Sequence, residues 1–423
     1  MGQTIVQKIV ARAAGLPHVE PGAYVNVTPD YTCCQDISWP ARKQIMEAAG
    51  VERLSRPDRL ILVVDHTTGA GMGTVYHKNH AEMRDFARKH GAHFYGAGSG
   101  LRHQVLIEQG FARPTRLIFT DEPNIASIGA IGALNLAIST EVVVTSVLND
   151  NWMVVPRPVR ITLTGALRPG VEIRDFAQVL IRDYAQTDTL SQACVQYDGP
   201  AISGLSMDER QALLACTYHA GPDTALMPVD AVARNYAGKR GFDADMEIFT
   251  DDEDADFAHE AVYDLSEVEP MVTRPPELHT AVCVGEVVGL RIDQAAIASC
   301  ASARMDDLRA AARVLEGHRI ADHVTMYITP ASAEVYAQAG REGLLSTFAE
   351  AGAAVLAPGC TTCWGYEGVL NDGEVSVSTH QMNYHGRNGS RTAHAYLAGP
   401  SLVAASAIAG KIVDPRDIAG GAA

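Results

Sequence analysis

Apolar runs of roughly four to eight residues alternate with helix-like stretches along most of this chain, the rhythm of parallel sheets covered by helices. Leu60 to Val64, Leu117 to Phe119, Val142 to Val144, Val159 to Leu163 and Val324 to Ile328 read as strands. Ala81 to His90 and Met305 to Glu316 read as helices, the second with Asp306 and Asp307 at the end where a helix dipole favours anions. No solenoid period interrupts the alternation. The pattern predicts an α/β protein with its chemistry in loops at strand ends. At 423 residues the chain has room for roughly two to four domains. Composition shifts at Val154-Val155-Pro156-Arg157-Pro158 and between Glu267 and Pro276 divide it into 1–154, 155–269 and 270–423. The acidic run Asp251 to Asp256 reads as a solvated loop, since it lacks the spaced Asp/Asn-Gly pattern of a calcium loop.

Three cysteines stand out from the eight. Cys300 lies in Ala298-Ser299-Cys300-Ala301-Ser302, and Cys360 and Cys363 lie in Pro358-Gly359-Cys360-Thr361-Thr362-Cys363. Each group follows an apolar run and sits among small residues, as a loop leaving a strand would. A Cys-x-x-Cys pair alone also serves redox exchange, structural zinc or plain burial. Three thiolates are one short of the four that close a zinc or ordinary iron–sulfur site. A centre held by three keeps an open position, where a substrate oxygen can bind and be polarised. Cys33, Cys34, Cys194, Cys216 and Cys283 share no spacing and read as small buried apolar residues.

A formal charge of −16 argues against nucleic acid or an anionic membrane as partner, because both are held by clustered Lys and Arg. The N-terminus lacks a signal-peptide core, and the longest apolar stretch, Gly129 to Leu148, is broken by Asn135, Ser139, Thr140 and Glu141. The expectation is a cytoplasmic protein in a reducing compartment.

An ordered series of short words resembles the aconitase superfamily, most closely its branch of isopropylmalate dehydratase large subunits. The words are Met1-Gly2-Gln3-Thr4, Val64-Asp65-His66, Gly98-Ser99-Gly100-Leu101-Arg102-His103-Gln104, Leu163-Thr164-Gly165, Ile292-Asp293-Gln294, Asp307-Leu308-Arg309, Thr329-Pro330 and Gly410-Lys411-Ile412-Val413-Asp414-Pro415-Arg416. The resemblance implies three α/β domains packed around a [4Fe-4S] cluster held by Cys300, Cys360 and Cys363. It further implies that the swivelling domain is absent here and comes from a separate small subunit. The reaction implied is dehydration or isomerisation of a small anionic hydroxy acid. Asp65 and His66 match the family's acid/base pair, His103 a second active-site histidine, Asp121 an active-site aspartate and Arg387 a carboxylate-binding arginine.

Departures from the family pattern fall on the same site. Glu122-Pro123 replace Ser-His after Asp121, His219 stands where glutamate is usual, and Gln381-Met382 replace Asn-Arg. A histidine here is expected to titrate near neutrality, with His219 or His380 partly replacing the lost proton handling. Met382 is expected to line a pocket for a substrate lacking one carboxylate. The leading expectation is therefore a hydro-lyase with an altered substrate in a specialised biosynthetic pathway. The alternatives are isopropylmalate dehydratase of leucine biosynthesis, a non-catalytic iron–sulfur sensor or scaffold, and a zinc-binding structural protein completed by His380 or His385.

Overall fold

Three mainly parallel sheets and one short ribbon organise the computed structural model, which describes residues 2–69, 71–242 and 246–419. The first sheet has five parallel strands in the order His93–Tyr95, Leu60–Val63, Tyr31–Gln35, Leu117–Thr120, Leu134–Ala137. Leu60–Val63 and Leu117–Thr120 are buried along their whole length, as strands covered on both faces must be. The second sheet runs Thr224–Leu226, Ala193–Asp198, Arg157–Thr164, His259–Asp264, again all parallel. The third has seven strands, with Gln294–Ile297 between Thr325–Ile328 and Val375–Ser378 at its centre. Met271–Thr273 and Ala281–Cys283 close one of its edges in antiparallel pairing.

The first two sheets share one continuous hydrophobic core, which runs from Ile61, Val63 and Ile118 to Val159, Ile161 and Val195. The third sheet buries its own, built on Ala295, Ile297, Ile328 and Val377. Gly129 lies at the seam between the first two, where a Cβ would stand 2.2 Å from the carbonyl oxygen of Ala225.

Four of the five expected strands and both expected helices form, the helices as Thr74–His90 and Met305–Leu315. Val142 to Val144 does not: it opens the helix Val142–Leu148. The sheet already ends at Leu134–Ala137, and the following segment has to cover its face instead. A helix does so by burying Val142, Val143, Thr145 and Ser146, and burial outweighs the β preference of three valines. Cys283 is exposed on an outer strand rather than buried. Within the acidic run, Asp252 to Asp254 are exposed as expected, but Asp251 is not free. It accepts from the Ile5 amide at 2.8 Å and from Gln196 Nε2 at 2.6 Å, and Asp252 accepts from the Gln3 amide at 2.7 Å, so the run caps the N-terminal helix Ile5–Ala14.

Candidate active site

Residues leaving the C-terminal ends of first- and third-sheet strands converge on one region, as expected for parallel sheets. Asp65 and His66 follow Leu60–Val63, Asp121 and Glu122 follow Leu117–Thr120, Cys300 follows Gln294–Ile297, and His380 and Gln381 follow Val375–Ser378. Two glycines let the loops close on one another. At Gly100 (φ +117°) a Cβ would meet Ser332 Cα at 2.4 Å, so only glycine lets the His103 loop lie against residues 331–332. At Gly359 (φ +155°) a Cβ would meet Thr68 Oγ1 at 2.4 Å, and this approach lets the Cys360 amide donate to the Asp65 carbonyl at 2.6 Å. The Cys300 loop holds Ser299 (φ 85°) and Ala303 (φ 65°) in left-handed conformations. Thr379 secures it by accepting from the Ala298 amide at 2.9 Å and from Ser299 Oγ at 2.8 Å, the over-determination that strained backbone at a functional site needs.

All three cysteines are buried, and the charge of each acts on another. Burial and the nearby Glu122 carboxylate push the Cys300 thiol up. Cys360 donates to Cys363, and despite burial this bond and the Arg387 guanidinium help hold Cys363 as thiolate. Their sulfurs do not all lie within 4.8 Å of one another. Asp36, Asp65 and His66 do offer ligand atoms within 4.8 Å. Asp36, however, accepts from the amides of His66 at 3.1 Å and Thr67 at 2.9 Å, which already bind the lone pairs a cation would use.

Asp65 Oδ1 lies 2.8 Å from His66 Nδ1, and both side chains are buried. Burial alone would lower the imidazole, but Asp65, Glu122 and Asp36 outweigh it and hold His66 at about 9. Its Nε2 faces Glu122 Oε2 at 4.0 Å, and its ring meets Trp364 edge to face at 5.4 Å. Beneath this pair lies Arg102, fully buried, which binds Asp65 Oδ2 through Nε at 3.1 Å and also Asp121, Glu122 and Gln35. Asp121 is further bound by Arg42, and although burial opposes it, the two guanidiniums keep it ionised. Asp121 therefore braces the network from below and does not face the chamber.

His103 is fully buried, with Nε2 3.1 Å from Arg304 Nη2. Burial and the guanidiniums of Arg304 and Arg102 push its pKa well down. His219, in the turn after helix Met207–Thr217, is lowered to about 4 by burial and by Arg174. It stays neutral at pH 7, which corrects the expectation of titration near neutrality; His380 is lowered for the same first reason. Gln381 donates to the Ala215 carbonyl at 3.1 Å, beside His219. Arg387 stacks over Trp364 at 4.2 Å and donates to the Cys363 carbonyl at 2.8 Å. Met382 is half-buried.

Several buried polar atoms on the loops and helices that carry these residues have no protein hydrogen-bond partner: His103 Nδ1, His219 Nε2, His380 Nε2, Gln381 Oε1, Ser302 Oγ and Thr361 Oγ1. Buried polar groups are almost always paired, so this concentration marks a place where further atoms bind. Arg304, Arg174 and Trp364 escaped the sequence reading, and Arg102 and Glu122 entered it without a role. Arg102 and Arg304 had only proximity to the His103 and Cys300 words as a signal, because burial of an arginine is invisible in one sequence.

The profile of the Aconitase family (aconitate hydratase) matches residues 5–290 and 283–410. The chain belongs to the aconitase family. It is a hydro-lyase of the aconitase type. A 3-isopropylmalate dehydratase large subunit of Methanopyrus kandleri is 36% identical over 419 residues, covering 98% of this chain and 99% of that one. Those of Sulfurovum sp. and Moorella thermoacetica are 35% and 34% identical, each covering 99% of this chain and 100% of the other. Among solved structures, the holo-form of Thermococcus kodakaraensis aconitase X aligns over 89% of both chains with a TM-score of 0.54 and 12% identity, a likeness of fold alone. No described helix is long and apolar enough to cross a membrane.

Proposed function

We propose that this chain is the large subunit of an iron–sulfur hydro-lyase that dehydrates or isomerises a small hydroxy acid, with a separate small subunit completing the site. The names of the relatives favour 3-isopropylmalate over the altered acid expected from the sequence. The observation carrying the reading is the seating of the buried Cys360–Cys363 loop on the Asp65–His66 pair, with the Cys360 amide donating to the Asp65 carbonyl at 2.6 Å. Cys300, Cys360 and Cys363 would hold a [4Fe-4S] cluster, three thiolates leaving one iron without a protein ligand. When bound, the cluster supplies a Lewis-acidic iron with an open coordination position.

The side chains divide the remaining work. Asp65 orients His66 and stabilises its imidazolium, so at pH 7 the ring carries a proton it can give to a departing hydroxyl. Arg102 binds Oδ2 of Asp65 and so keeps Oδ1 pointed at Nδ1. Trp364 packs between the His66 ring and the Arg387 guanidinium and excludes water from both. Arg387 supplies cationic N–H donors for a substrate carboxylate. Removal of the carbon-bound proton is assigned to the small subunit.

A second reading, an altered hydroxy acid, draws on Glu122. Its carboxylate stands 4.0 Å from His66 Nε2, is a main influence on Cys300 after burial, and opposes any second carboxylate brought to that corner. Met382 offers no charge in return. Anaerobic co-production with a small subunit from the same source tests both. The expected result is a brown protein with roughly four irons per chain that converts isopropylmalate, and Cys300→Ser that loses both colour and turnover. Conversion of other hydroxy acids but not isopropylmalate selects the second reading. A colourless protein with zinc and no turnover overturns both.

A further inference from the structure

We propose that Arg304 is a positioning residue that fixes His103 as a neutral imidazole with its proton on Nδ1, so that His103 serves as a hydrogen-bond donor to a substrate oxygen and not as a proton shuttle. The word substrate rests on the hydro-lyase reading; the tautomer does not.

The argument begins with what a guanidinium can do. It has donors only. Arg304 Nη2 lies 3.1 Å from His103 Nε2, so Nε2 must present its lone pair and the ring proton must sit on Nδ1. Two facing N–H groups at that separation would repel in a place where neither side chain has any exposure to water. Arg304 cannot turn away without losing bonds to three other segments. Nη2 also donates to the Cys300 carbonyl at 2.9 Å, and Nε is shared between Gln104 Oε1 and Gln211 Oε1, both at 3.3 Å. Its backbone amide is held by Asp307 Oδ2 at 3.1 Å, at the entry to helix Met305–Leu315.

The consequence lies at the opposite nitrogen. Nδ1 is buried and bonded to nothing in the protein, and so is Arg304 Nη1. A buried donor left without a partner is unfavourable, so the unused N–H on Nδ1 fits an incoming oxygen acceptor such as a carboxylate. No carboxylate bonds His103, whereas His66 has Asp65 on its Nδ1 at 2.8 Å. The two histidines are thus placed in opposite environments, the pattern that separates an acid from a neutral electrophile.

Neutron diffraction from deuterium-exchanged crystals of the full chain reads the tautomer directly. A deuteron on His103 Nδ1 and none on Nε2 is expected; a deuteron on Nε2 overturns the proposal. That readout is independent of turnover, so an inactive protein with the expected tautomer removes the hydro-lyase reading and leaves the lock standing. In Arg304→Met the deuteron is expected to appear on Nε2, and in Arg304→Lys to stay on Nδ1. Retention on Nδ1 alone in Arg304→Met removes Arg304 from the account. In the loaded two-subunit complex, His103→Asn places an amide nitrogen near Nδ1 and is expected to keep kcat/KM within about tenfold, the worth of one hydrogen bond. His103→Gln, with its nitrogen near Nε2, is expected to lose far more. Equal losses of about 10²–10⁴-fold in both variants are the signature of proton transfer by His103 and would overturn the donor role.

Discussion

Replacing Arg102 by Met deletes the cation on which three carboxylates converge. Breaking a buried ion pair from one side costs about 3–5 kcal/mol, because the abandoned charge stays in low dielectric. The structure apportions that cost. Glu122 keeps 19% of its side chain in water, so its share falls to about 0–1 kcal/mol. Asp121 has no exposure but retains Arg42, which compensates part of its charge. Asp65, at 3% exposure, keeps His66 and the backbone amide of residue 102 but loses its only guanidinium. The expected loss is about 3–4 kcal/mol, a large share of the roughly 5–15 kcal/mol that holds a domain together. Urea unfolding followed by tryptophan fluorescence measures it, since Trp39 is fully buried in the helix Trp39–Ala48 beside the same sheet. Arg102→Lys restores the charge but not the planar fork and should recover less than half of the loss. The double variant Arg102→Met/Asp121→Asn should fall short of the sum of its singles, as expected for one network. A loss below about 1 kcal/mol in Arg102→Met would refute the view that this guanidinium organises the site.

Two further perturbations test the frame around the site. Asp175 accepts from the amides of Glu172 and Met271, both at 2.8 Å, but burial raises it to about 7. Its folded-state pKa exceeds the unfolded value, so its contribution to stability is complete below about pH 4 and is lost as pH rises through 7. A shift of this size corresponds to about 4 kcal/mol. Wild-type stability minus that of Asp175→Asn should therefore fall across that window, and a flat difference would refute the assignment. Gly129→Ala should cost at least about 1–3 kcal/mol, because the added methyl collides with the Ala225 carbonyl across the seam of two sheets. A melting temperature unchanged by Gly129→Ala would show that the seam yields.

Legibility in the sequence followed a physical divide. Strands buried on both faces, such as Leu60–Val63 and Leu117–Thr120, announce themselves because nothing but apolar side chains fits there. Val142–Leu148 did not, since a short β-branched run is compatible with either state until its neighbours are known. Among candidate site residues, the cysteines, the Asp65–His66 pair and His103 were readable as candidates from their words. The tasks of Asp121, His219 and Arg304 were not. Asp121 was expected in the active site and instead lies under it between Arg42 and Arg102. His219 is kept neutral by burial and by Arg174, which comes from a helix 45 residues earlier in the chain, 219 less 174.

The order of residues alone determined the α/β alternation, the thiols available to hold a metal centre and the adjacency of Asp65 and His66 as a candidate acid pair, because each depends on side-chain type and local spacing. Tertiary structure decided which ionisable groups are charged. Protonation inside a protein follows from the balance between lost hydration and the charges that face the group, and here those charges come from Arg102, Arg174 and Arg304, which only the packing of separate segments brings to Asp121, His219 and His103.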